Sequence, residues 1–159
     1  MYERIKPMRG LFIPFIIILT ISTQAYANRL LIPMDNTQKN HLKAYGIAFW
    51  ILNSTEIEMD WLLNYRGGSF MVPFSQRFAT EMMVRGVSYE VISEGNASQI
   101  VAEISAPDVN MDAVKLQKSP KIAVYSPKSK LPWDDAVTLV LTYAEIPYDV
   151  IYDDEVLED

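Results

Sequence analysis

The chain contains no cysteine. That absence excludes a thiol nucleophile, a disulfide and a thiolate-ligated metal. Histidine is almost as scarce, His41 being the only one. A general base needs an oriented partner, and none stands at a useful spacing from His41, which reads as a half-exposed helix residue. A Lys/Arg cluster is lacking as well. With a formal net charge of −6, the chain is a poor match for nucleic acid, whose affinity rests on phosphate neutralisation. No apolar run is long enough for a membrane anchor. Leu11 to Ile21 is interrupted by Pro14 and Thr20 and falls short of the roughly 20 residues of a spanning helix.

That run has instead the form of a secretory signal peptide over residues 1–27. Arg4, Lys6 and Arg9 supply the positive start, and Ala25-Tyr26-Ala27 supplies a small-x-small site with cleavage between Ala27 and Asn28. The expected product is exported, periplasmic or secreted, and keeps no stable membrane anchor after cleavage. Loss of the three basic residues leaves it more acidic still, which favours solubility. The remaining length suits one domain with a real core. Asn53-Ser54-Thr55 and Asn96-Ala97-Ser98 match the N-glycosylation acceptor pattern, which is short enough to recur by chance.

Strand and helix signals alternate along the rest. Leu30 to Pro33 reads as a buried strand. Asp35, with Gln38 three residues on, has the pattern of a capping box for a helix with Leu42, Tyr45, Phe49 and Leu52 on its apolar face. Ile57 to Asn64 reads as a strand stopped by Gly67-Gly68. Ser75 caps a helix that ends near Gly86. Val87 to Ser93 is a strand by composition, and Asn96 with Gln99 opens a short helix through Ile104. Residues 107–120 are polar and proline-bounded and read as a connector. Lys121 to Tyr125, a helix opened by Trp133-Asp134-Asp135, and Tyr148 to Tyr152 make a final strand–helix–strand unit. A weak repeat relates Val84 to Ile92 with Tyr143 to Ile151, each a helix end, a tight turn and an apolar strand. These signals predict an α/β fold of repeated βα units, with a mostly parallel sheet covered by helices on both faces. The divisions expected are a signal at 1–27, an α/β segment at 28–106, the connector at 107–120, and an incomplete second βαβ segment of the same domain at 121–159. The sheet is expected to be truncated at its C-terminal side.

Chemistry is sparse. Arg66-Gly67-Gly68-Ser69 follows a strand, and two glycines can present backbone N–H groups to an anion with Arg66 as a clamp; the same residues also suit a plain tight turn. Asp108, Asn110 and Asp112 have the spacing of half a calcium loop, but Ala113 and Ser119 stand where Gly and Glu are needed. The acidic clusters at 133–135 and 153–155 suit a helix start and a solvated tail. The sequence points to no metal, no cofactor and no catalytic residue within the chain.

The block from Leu30 to Phe70, together with Lys121 to Tyr125 and Leu131 to Val137, resembles exported bacterial proteins commonly labelled asparagine synthetase B. The resemblance implies a class I glutamine-amidotransferase-like fold, and for the full-length protein hydrolysis of a small amide or ester. In such proteins the nucleophile is a Cys on a downstream strand–helix elbow helped by a His, so no catalytic residue carries over to these 159 residues. The other expectation is a non-catalytic exported α/β module that binds a small ligand or a partner protein.

Overall fold

A computed structural model describes residues 28–127 and 136–153. Residues 1–27, which hold the expected signal peptide with Ala27, lie outside the described residues, as do the 133–135 acids and most of the acidic tail.

Strand β1 (Asn28–Ile32) leads through a turn into helix α1 (His41–Ser54). Strands β2 (Met59–Leu63) and β3 (Ser69–Pro73) follow as a hairpin, then helix α2 (Gln76–Val84) and strand β4 (Glu90–Ser93). Helix α3 (Glu94–Ile104) and strand β5 (Asp112–Leu116) come next, and strand β6 (Ala123–Tyr125), helix α4 (Ala136–Ala144) and strand β7 (Asp149–Ile151) close the described chain. The main sheet has the order β4-β1-β3-β2-β5, and every pairing in it is antiparallel. The first four strands with α1 and α2 form the split βαβ, ferredoxin-like topology, in which β3 lies between the two strands that α1 connects. Among the described strands only β6 and β7 are parallel, as a separate pair.

The expected mostly parallel sheet is therefore corrected to an antiparallel one, and two short strands account for the change. Gly67-Gly68 does not stop the β2 segment but reverses it into β3, which slots between β1 and β2. As a central strand, β3 is buried on both faces from Ser69 to Val72, so it carries no period-2 alternation to mark it. Residues 107–120, read as a connector, contain β5, an edge strand whose exposed Asp112 and Lys115 make it look like linker.

The sheet separates two cores. On one face Leu30, Ile32, Met59, Phe70 and Val72 pack against α1 and α2 through Ala44, Ile47, Ile51, Phe78 and Met82. On the other, Leu31, Leu62 and Met71 pack against Ala97 and Ile104 of α3. Burying each large side chain contributes about 1.5–3 kcal/mol. The buried stripe of α1 is Ala44, Ile47, Ala48 and Ile51 rather than the expected Leu42–Tyr45–Phe49–Leu52 face, and Leu42 and Tyr45 are exposed. The helix also starts later than the capping pattern predicts. Asn40 is the cap, accepting from the Lys43 amide at 3.1 Å. Gln38 is instead buried, its carbonyl oxygen accepting from the Ser88 amide at 2.8 Å and its amide donating to Pro33 O. It ties the loop before α1 to the segment before β4.

The repeat seen in the sequence is a repeated helix ending. After α2, Gly86 has φ 70° and the Val87 amide reaches back to Met82 O at 2.8 Å; after α4, Glu145 has φ 60° and the Ile146 amide reaches Leu141 O at 2.9 Å. Both are Schellman-type stops with a left-handed residue, and each delivers the chain into a strand. Glu145 adopts this conformation despite its Cβ while its carboxylate pairs with Lys43 and with Arg85 at 3.0 Å.

Candidate functional site

A cleft floored by charge lies between α3 and the sheet. Four strands supply its floor: Arg29 from β1, Asp60 from β2, Lys115 from β5, and Met71 of β3 directly opposite Asp60. These side chains share a face because strand residues two apart point the same way, and Asp60 is paired across the ladder with both Met71 and Lys115. Glu94, the first residue of α3, overhangs one end. The wall is the α3 face bearing Ala97, Ser98, Val101, Ala102 and Ser105, residues small enough to leave a volume of about 550 Å³. Ser93 sets the pitch of this wall by capping α3, its Oγ accepting from the Asn96 amide at 3.2 Å; the expected cap, Asn96, lies inside the helix.

The charges in the cleft form a chain. Arg29 grips Glu94 in a two-pronged pair, Nε and Nη2 each at 2.9 Å from a carboxylate oxygen, and its Nη1 donates to Asp60 Oδ2 at 3.0 Å. Lys115 Nζ meets the other Asp60 oxygen at 3.1 Å. Asp60 is the least exposed member, with 14% of its side chain accessible. The Arg29 hydrogen bonds hold the Glu94 carboxyl below its usual range. Glu94 and Asp60 in turn raise the Arg29 guanidinium.

Arg66-Gly67-Gly68-Ser69, the anion candidate, forms the β2–β3 turn and packs against the loop before α1. The Met34 amide donates to Arg66 O at 3.1 Å, and a Cβ on Gly67 would come within 2.4 Å of Met34 O. The Arg66 guanidinium is already taken up: Nε reaches Asp35 at 2.7 Å, Nη1 reaches Glu90 at 2.8 Å and Nη2 reaches Thr37 Oγ1 at 3.2 Å. Arg66 and Thr37 together hold the Asp35 carboxyl far below the ordinary range. Ser69 is buried, its hydroxyl donating to Arg66 O at 3.3 Å. Two carboxylates thus stand where an added anion would bind. Asn28, on the other side of the expected cleavage point, is the first residue of β1, pairs with Ser93, and its carbonyl accepts from the Phe74 amide at 2.9 Å.

His41 Nε2 lies 3.1 Å from both Met34 O and Asp35 O. Carbonyls only accept, so this nitrogen carries the proton and the ring pins the loop. The half calcium loop does not form a site: Asn110 O accepts from Asn64 Nδ2 at 2.8 Å, and Asp112 opens β5. Among the described residues no group of three or more His, Asp or Glu side chains is placed to hold a metal, and no helix is long and apolar enough to cross a membrane. The sequence reading missed the cleft. Arg29, Asp60, Glu94 and Lys115 are spread over 87 positions of chain and carry no local motif; only β5, once recognised as a strand, would have brought Lys115 beside Asp60.

The class defined by this geometry is an α+β, ferredoxin-like unit, widened by α3 and β5 and followed by a parallel βαβ unit packed on α1. No protein-family profile, curated protein or solved structure matches the chain.

Proposed function

We propose that this chain is a non-catalytic binding module of an exported protein, with the cleft between α3 and the sheet as its ligand site. The observation that carries the reading is the cleft itself: a concave site of about 550 Å³ with apolar walls and a few converging polar groups, the usual form of a small-molecule site. Among the described residues, the histidine and the cleft carboxylates are committed to other contacts. His41 is spent on two backbone carbonyls, and the cleft carboxylates are ion-paired. Export rests on the signal-like residues 1–27 and on the resemblance to exported asparagine synthetase B-labelled proteins.

Two measurements test this reading. N-terminal sequencing of the secreted product should begin at Asn28; accumulation of the uncleaved chain inside the cell would sink the export part. A broad small-molecule screen by amide-resolved NMR should find ligands that perturb Ala97, Val101 and Ala113. A screen whose hits all map elsewhere would sink the binding part.

One observation favours a second reading, in which this module leads into an amidotransferase-like hydrolase of small amides or esters. The parallel β6–α4–β7 unit is of the kind from which such catalytic sheets are built, and it exposes apolar Val137, Leu139 and Val140 on α4. Release of ammonia from glutamine, or of a chromophore from a nitrophenyl ester, by the purified protein would favour it over the non-catalytic reading.

A further inference from the structure

We infer that the α3 cleft accepts a neutral, hydroxyl-rich ligand of mono- to disaccharide size. This inference rests on the binding-module reading and specifies the chemistry of that site.

Charge comes first. Arg29 and Lys115 face Asp60 and Glu94, so the cleft carries two cations and two carboxylates already in contact with one another. A ligand with net charge finds no net opposite charge here, and burying it incurs a desolvation cost that only displacement of an existing pair could offset. A neutral ligand avoids that cost.

Hydrogen-bonding capacity comes second. Glu94 and Asp60 occupy three of the Arg29 donors, and a guanidinium has more N–H groups than that. Lys115, more than half exposed, meets Asp60 at 3.1 Å and, outside the cleft lining, Glu58 at 3.8 Å, and its ammonium has three N–H donors to share. The carboxylate oxygens retain lone pairs in the same way. The cleft therefore presents unused donors and unused acceptors side by side. A hydroxyl group donates and accepts at once, and vicinal hydroxyls can bridge Arg29 to Asp60 or Asp60 to Lys115 without breaking either pair.

The walls fit the same ligand. Val101, Ala102 and Ala113 offer an apolar surface for the C–H face of a sugar ring over the buried Met71 and Ala97, and the Ser98 and Ser105 hydroxyls line the rim. The volume lies within the roughly 300–1,000 Å³ of small-molecule sites. No aromatic side chain lines the cleft, so ring stacking adds nothing and the expected Kd is on the order of 1 mM.

The test is an amide-resolved NMR titration of the full mature protein with maltose, cellobiose and N,N′-diacetylchitobiose. Glucuronate and glucosamine serve as the charged counterparts. At least one neutral disaccharide should shift the Ala97, Ser98, Val101 and Ala113 amides saturably, with a Kd that changes less than twofold between low and high salt. Ala102→Phe fills the cleft from its exposed wall without touching the ion pairs and should weaken binding at least tenfold while the rest of the spectrum stays folded. Asp60→Asn should weaken the neutral sugar and admit glucuronate, because two cations then face one carboxylate. Saturable cleft binding by a charged probe alone overturns the inference and leaves the binding-module reading standing. Failure of every sugar to shift the cleft amides of the folded protein also overturns it, and the broad screen then decides the wider reading separately.

Discussion

Gly46→Ala gives the sharpest test of how the two parts of the chain meet. In an isolated helix the change is stabilising, since Ala exceeds Gly by about 1 kcal/mol in a helix interior. Here a Cβ on Gly46 would fall 1.8 Å from the carbonyl oxygen of Ala144 and 2.9 Å from its carbonyl carbon. Both obstacles are backbone, so no rotamer change relieves them. Restoring ordinary contact requires α4 to retreat by roughly 1.4 Å, and forcing an extra methyl into packed structure costs about 1–3 kcal/mol. The polar contacts that tie the C-terminal end of α4 to its neighbours are modest by comparison. Asn40 donates to Tyr143 Oη at 2.7 Å, and Glu145 pairs with Lys43 and Arg85. Partly exposed ion pairs of this kind are worth about 1 kcal/mol or less each.

Undocking of α4 is therefore favoured over distortion of α1. The expected result is split behaviour. Hydrogen exchange should lose protection across residues 136–151, while the amides of β1, β2 and β3 keep theirs, and the unfolding free energy of the main sheet from urea denaturation stays level or rises by up to about 1 kcal/mol from the added helix propensity. Adding Ala144→Gly should not rescue docking, because the obstacle is the carbonyl group and not the Ala144 side chain. Native-like protection of α4 in Gly46→Ala would refute the close helix–helix approach and the reasoning built on it.

Leu62→Ala, at a side chain fully buried between β2 and α3, should cost about 2–5 kcal/mol in urea denaturation; a loss under 1 kcal/mol would mean that α3 does not cover this face. Folding should weaken in acid, because Asp35, Glu94 and Glu145 all have their carboxyls held below ordinary values by Arg66, Arg29 and Lys43 respectively. Carboxyls depressed in the folded state bind fewer protons than in the unfolded chain, so their contribution is complete above about pH 5 and is lost as pH falls through about 4 and below. Urea midpoints should be flat from about pH 7 to 5 and then drop, with a shallower drop in Asp35→Asn. An unchanged midpoint at about pH 3 would contradict the pairing. Phosphate at tens of millimolar should leave the melting temperature unchanged, since Asp35 and Glu90 already occupy Arg66; a rise that disappears in Arg66→Gln would restore the anion site at residues 66–69.

Much of the local structure was legible because it depends on neighbouring residues. The Gly86 helix stop, the strands at both ends of the chain and the parallel of 84–92 with 143–151 are set within a few positions. The capping of α1 is not legible locally, for the opposite reason. Asp35 and Gln38 have the right spacing for a capping box, but Arg66 lies 31 positions away and claims Asp35, while Ser88, 50 positions away, claims Gln38. With both side chains engaged across the fold, the helix starts at the next available cap, Asn40. The candidate site suffered from the same distance effect. Arg66 was singled out from its two neighbouring glycines, yet its partners come from two other segments, and the charged cleft has no sequence-local form at all.

The sheet itself shows how a small omission inverts a topology. A β1–α1–β2 crossover looks the same in sequence whether its strands lie side by side or have a gap between them, and only a third strand decides. That strand, Ser69–Pro73, is five residues long and follows directly on a glycine turn. If it is left out, β1 and β2 become parallel neighbours and each later βα unit extends a parallel sheet. Once it is in place, β1 and β2 both pair antiparallel to it, β4 must take the outer edge of β1, and β5 takes that of β2. The cleft follows from the same choice. Because β3 separates β1 from β2 and contributes the apolar, buried Met71 at the centre of the floor, Arg29 and Lys115 approach Asp60 from opposite sides. A parallel arrangement would have set β1 against β2 directly and left no such row of alternating charge.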